Sequence, residues 1–171
     1  VELVLIQLLM HFVGYPLYTY SVVLFTVLFG AGLGSLASDR LGITPAAANW
    51  WWPYAGVLFA GSMFLLVYDP VTGALLALPL GARLLAAVIL VFPLAFFMGM
   101  PFPLGVLAVQ DLSRAAVAWG WGMNGLFTVI GGLGSVVISV NYGFRAALIA
   151  GLMIYAIAWL SFAGMRRQTP V

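Results

Sequence analysis

YTYSVVLFTVLFGAGLGSLA, residues Tyr18–Ala37, decides the architecture. Its 20 residues carry no charge. That is about the length an α-helix needs to cross the hydrocarbon core of a bilayer. A barrel strand is ruled out, because strict alternation is missing and the run is roughly twice a strand's length. The pattern recurs outward in both directions, predicting spans over 1–13, 18–37, 50–68, 84–100, 119–140 and 144–165. Composition agrees. Of 171 residues, 65% are hydrophobic and 6% charged, and the mean hydropathy is +1.18. A soluble domain of this size needs about a quarter of its residues charged to face water. The expected fold class is therefore all-α: a polytopic membrane bundle of about six helices forming a single domain over residues 1–171.

The first of these spans, Val1–Val13, is short. It has no charged leader or small-residue cleavage site, so it is read as a helix entered part-way in a piece of something longer, not as a signal peptide. Asp69-Pro70 is expected to end the third span, and beyond it Val71–Arg83 is apolar but interrupted by Gly73, Pro79 and Gly81, which predicts an interfacial or re-entrant segment. Pro93 is expected to kink the fourth span. Pro101-Phe102-Pro103 is expected to end it, leaving Leu104–Ala118, with Gln110, Asp111, Ser113 and Arg114, at a surface. Trp50, Trp51, Trp52 and Tyr54 at one span end, with Trp119 and Trp121 at another, read as headgroup-level anchors. Arg40, Arg114, Arg166 and Arg167 share one side of this topology, against Arg83 and Arg145 on the other. The positive-inside rule then places both termini in the cytoplasm.

Several chemistries are excluded or disfavoured. There is no cysteine, hence no disulfide, thiolate metal site or cysteine nucleophile. Lysine is absent and the arginines are scattered, so no basic stripe for nucleic acid exists. No P-loop occurs, no acid pair converges, and no metal cluster is apparent, so the chain is not expected to be an enzyme by itself.

What remains is packing and intramembrane polarity. In lipid, helices associate through close backbone approach and interhelical hydrogen bonds. Gly30 and Gly34 have GxxxG spacing, and Gly131 and Ser135 lie one turn apart in a span that also holds Gly120, Gly122, Gly125, Gly132 and Gly134. Both sets are expected to be packing surfaces. The intramembrane polar candidates are Glu2, Gln7, His11 and Asn124, each costly to place in hydrocarbon. Gln7 and His11 share a helical face, whereas Glu2 lies about 140° from Gln7 around the helix. His11, the only histidine, is a candidate proton relay or axial ligand to a haem or chlorophyll-type ring, although no second ligand accompanies it. An interhelical amide bond is the expected role of Asn124, with contact to a polar substrate as the alternative.

Three stretches together resemble the C-terminal membrane region of bacterial multi-pass proteins similar to spermidine synthases. Glu2–Ser35 resembles a Glu-x-x-x-x-Gln helix, a Gly-His-Pro turn and a span ending Gly-x-Gly-Ser; Gly99–Gly105, GMPFPLG, resembles a Gly-Met-Pro-Phe-Pro-x-Gly turn; Ala118–Ser135, AWGWGMNGLFTVIGGLGS, resembles a Trp-x-Trp-x-x-Asn-Gly segment. The resemblance covers nearly the whole chain in order. It implies a soluble aminopropyltransferase-like Rossmann domain elsewhere, binding decarboxylated S-adenosylmethionine and a polyamine, none of which is in this sequence. The positions that match are Glu2, Gln7, Gly34, Pro101, Pro103, Trp119, Asn124 and Gly125, and the histidine of Gly-His-Pro is replaced by Tyr15. Gly34–Gly42 is also similar to the Gly-x-Leu-Ala-Asp-Arg-x-Gly loop of major facilitator transporters, with one extra residue.

The leading expectation is a non-catalytic module in the bacterial inner membrane. It would anchor or scaffold a larger assembly, with the lipid bilayer and other transmembrane subunits or further copies of itself as partners. The alternatives are a transporter-like module for a small solute such as a polyamine, and a pigment- or haem-carrying subunit using His11. No particular cofactor is implied.

Overall fold

A computed structural model describes residues 1–110 and 113–168. Helix accounts for 86% of it, and no strand occurs among the described residues. The helices are α1 (Glu2–Val13), α2 (Pro16–Arg40), α3 (Trp52–Leu75), α4 (Leu80–Met98), α5 (Pro101–Val109), α6 (Arg114–Tyr142) and α7 (Phe144–Gln168). Five stretches are long and apolar enough to cross a membrane: α2, α3, α4 together with α5, α6 and α7. The chain is thus a multi-pass membrane bundle. Its first helix, at 12 residues, is about 18 Å long and reaches only part of the way across.

Turn chemistry sets the helix ends. Gly14 takes a left-handed conformation (φ +82°) and donates its N–H to the Met10 carbonyl, closing α1 just before Pro16 opens α2. At the far end of α2 the Gly42 N–H bonds the Asp39 carbonyl and the Ile43 N–H bonds that of Ser38, with Gly42 at φ +60°. This is a Schellman motif, which reverses the chain and drives Ile43 into the interior at 2% exposure. Ser113 caps α6 by accepting the Ala116 N–H at 3.0 Å.

Two expectations about proline fail. Val71–Arg83 is not one separate interfacial or re-entrant segment: α3 runs through Pro70 to Leu75, and α4 begins at Leu80. Pro70 removes the backbone donor to the Leu66 carbonyl without ending the helix, and the Arg145 guanidinium bonds the adjacent Leu65 carbonyl at 3.1 Å. Nor does Pro101 leave a surface segment. It is the first residue of α5, where its missing N–H costs nothing, and Leu104 is fully buried. Gly99 and Met100 mark the break, while Pro93 lies within α4. Gln110 and Ser113 are exposed as expected; Asp111 and the tail residues 169–171 lie outside the described residues.

The main core surrounds α1, whose Leu5, Leu9, Phe12 and Val13 are buried in the core that α1 forms with α2, α4, α6 and α7. A smaller cluster of Ile43, Tyr54, Met100, Leu104 and Phe162 fills the opposite end. Tyr54 is therefore a core residue, not a belt anchor; Trp51, Trp52, Trp119 and Trp121 are exposed.

Candidate functional site

Three places concentrate polarity or unused surface. The first is the end of the bundle where α1, α3, α4 and α7 meet. There Tyr68 donates its hydroxyl to the Leu8 carbonyl at 2.6 Å, and Arg83 donates to the Phe12 carbonyl at 3.2 Å. Arg83 thereby completes the last turn of α1 and places positive charge at the negative end of its dipole. Asp69 and Arg145 form an ion pair that ties α3 to α7. His11 sits at this end, exposed, its ring tilted against Phe144 at 6.2 Å. Gln7, one turn away, is half-buried, and Glu2 is exposed at the opposite end of α1. None of these three side chains hydrogen-bonds a described residue, and no group of three metal-ligating side chains occurs among the described residues. Sequence reasoning missed Tyr68 and Arg83 as interhelical donors, because their partners are backbone carbonyls 60 and 71 residues away.

The second place is α6. Only 6% of its most apolar window is buried, against 22–33% in the other spans. Asn124 is exposed and makes no interhelical amide bond among the described residues; its carbonyl accepts the Thr128 hydroxyl at 2.7 Å within the same helix. Nothing lies within 4 Å of where a Cβ would stand at Gly120, Gly122, Gly125, Gly131 or Gly134. Ser135 bonds the Gly132 carbonyl of its own helix. Among the described residues, then, no other helix approaches Gly131, while Ser135 is half-buried. Gly30 and Gly34 behave otherwise. A Cβ on Gly30 would stand 2.9 Å from Ala95 Cβ, and one on Gly34 would collide with the Phe96 carbonyl. These two glycines pack α2 against α4.

The third place is a half-open cavity of about 410 Å³ at the other end of the bundle, within the size range of small-molecule sites. One wall comes from the end of α2 and the Schellman turn: Ser35, Ser38, Asp39 and Thr44. The facing wall is apolar, with Phe102, Val106 and Leu107 from α5 and Trp121 from α6. Phe102 and Trp121 meet edge to face, with ring centroids 4.7 Å apart. On the far side of the loop, Arg166 lies 5.1 Å over the Trp50 ring and donates to the Ala46 carbonyl, fixing the end of α7 to the α2–α3 connection.

The chain matches no protein-family model, no curated protein and no solved structure.

Proposed function

We propose that the chain is a non-catalytic membrane module that anchors or scaffolds a larger assembly, joining it through the open face of α6. The carrying observation is the contrast in burial: only 6% of the most apolar stretch of the 29-residue α6 is buried, against 22–33% in the other spans, and nothing lies within 4 Å of a Cβ at Gly120, Gly122, Gly125, Gly131 or Gly134. Glycine-rich faces let backbones approach closely in lipid, where apolar area alone gives no drive to associate. The partner in this reading is another transmembrane helix, from a different subunit or a second copy. The three motif stretches support placing the module beside an aminopropyltransferase-like domain, and the arginine-rich end, with Arg40, Arg114, Arg166 and Arg167, supports an inner-membrane orientation with the C-terminus in the cytoplasm.

The absence of cysteine makes the test clean. Gly125→Cys and Gly131→Cys are placed singly in the chain and oxidised in native membranes. Leu28→Cys, on an exposed position of α2, serves as control. A cross-linked product from the α6 positions and none from Leu28→Cys is the expected result. Equal cross-linking at all three, or none at all, refutes an α6 interface.

A further inference from the structure

We propose that the cavity at the end of α2 is a binding site for an amphiphilic amine, with the ammonium group against Asp39 and the apolar body against the wall that Phe102 and Trp121 form. The argument starts from charge. Among the described residues that line the cavity, Asp39 alone is formally charged, and it has no ion-pair partner among the described residues. Arg40, its neighbour in sequence, does not line the cavity. A carboxylate lining a recess at a membrane boundary selects for a cation.

Hydrogen-bonding capacity points the same way. Ser35, Ser38 and Thr44 stand on the same wall as Asp39, and Ser38 is only 3% exposed. Hydroxyl oxygens and a carboxylate together offer acceptors to the three N–H donors of a primary ammonium, a point charge whose donors rotate to suit. Opposite them, the faces of Phe102 and Trp121 offer apolar area and the negative face of a ring quadrupole. Polar and apolar walls are thus segregated across one recess, which suits a molecule with a charged head and an apolar body. A uniformly polar solute would leave the aromatic wall unused, and an uncharged apolar one would bury the hydroxyls without partners.

The site is assembled by features that have no other evident role together. The Schellman turn at Gly42 brings Thr44 back over the end of α2, and Pro101 starts α5 at the register that turns Phe102 toward Trp121. Two sources could supply the ammonium: an ethanolamine-type lipid headgroup or a free amine entering from the aqueous side. The chemistry recognised is the same.

The test uses the full chain reconstituted in phosphatidylcholine nanodiscs. Calorimetric titration with 2-phenylethylammonium is compared with 2-phenylethanol, which has the same body and no charge. The amine is expected to bind at least tenfold tighter than the alcohol. Asp39→Asn should remove that preference, and Trp121→Leu should weaken both ligands severalfold. In a second arm, protein released from mixed phosphatidylethanolamine and phosphatidylcholine membranes is analysed by native mass spectrometry. Retention of phosphatidylethanolamine by the wild type but not by Asp39→Asn identifies the lipid as the source; amine binding without lipid preference identifies the free amine. Equal affinity for amine and alcohol in the wild type, or binding of neither probe with no lipid preference, overturns the proposal. Should Asp39→Asn fail to fold, the wild-type comparison of amine with alcohol decides alone.

Discussion

Helices α2 and α6 carry the same small-residue vocabulary and use it in opposite ways. On α2, Gly30 and Gly34 bring the backbone into direct contact with α4, and the approach is reciprocal: a Cβ on Gly99, just beyond the end of α4, would strike the Ala31 carbonyl. On α6, Gly120, Gly122, Gly125, Gly131 and Gly134 face open space. Spacing alone does not distinguish the two cases. Contact does, and it shows that a glycine stripe states only that something comes close. The α2 stripe has its answer inside the chain. On the α6 stripe, among the described residues, only Gly132 meets another helix, at Leu3 of α1 (3.7 Å from a Cβ there), and the rest find no partner.

The comparison breaks most sharply at Gly34. Gly34→Leu should abolish the native bundle, since no side-chain adjustment can move the Phe96 backbone. Gly34→Ala should cost about 1 to 3 kcal/mol or more through overpacking. Circular dichroism during unfolding of the reconstituted protein in increasing dodecyl sulfate measures both. A Gly34→Ala variant as resistant as the wild type would mean that α2 and α4 do not meet as described.

A smaller effect is expected where polar groups replace close packing as the joint. Tyr68→Phe leaves the ring, stacked on Phe64 at 5.5 Å, and removes only the donor to the Leu8 carbonyl. Interhelical hydrogen bonds in bilayers contribute about 0.6 to 2 kcal/mol, so Tyr68→Phe should lose about 1. Faster amide exchange confined to α1 would accompany it. Weaker still is the ion pair of Asp69 and Arg145, whose side chains are 61% and 53% exposed. A double-mutant cycle with Asp69→Asn and Arg145→Gln should return a coupling of about 0.2 to 1 kcal/mol that fades in high salt.

What could be read from the sequence divides along physical lines. Tyr18–Ala37 was legible because the solvent imposes its rule residue by residue: uncharged length in hydrocarbon means helix. The core role of Gly30 and Gly34 followed from spacing and from the poor alternatives available in lipid. Proline was misread twice for one reason. Pro70 and Pro101 have the same local chemistry as a helix stop, yet Pro70 sits where Arg145 from a distant helix bonds a carbonyl nearby, and Pro101 opens a new helix. The joints made by Tyr68 and Arg83 were invisible because the acceptor is a backbone carbonyl that every residue carries. The cavity was half visible. Only the loop itself showed in the sequence, where Asp39 and Arg40 read as helix-end chemistry, and Phe102 and Trp121 reach it from helices far along the chain.

The smallest expected change in stability is the most informative about α6. Gly131→Ala adds a methyl group to open space and removes a weak helix former, so the isolated chain should be unaffected or gain up to about 1 kcal/mol. The same methyl group would stand in the path of a close-packed partner helix. Pairing in membranes, read by the Gly125→Cys cross-link in a Gly131→Ala background, should therefore fall while the dodecyl sulfate midpoint stays level or rises. Parallel movement of the two readouts would argue otherwise: a fall in both would mean that Gly131 packs within its own bundle, and an undiminished cross-link would place the seam on another face of α6. Opposite movement is the signature of a glycine that serves association and not folding, which is the inverse of Gly34.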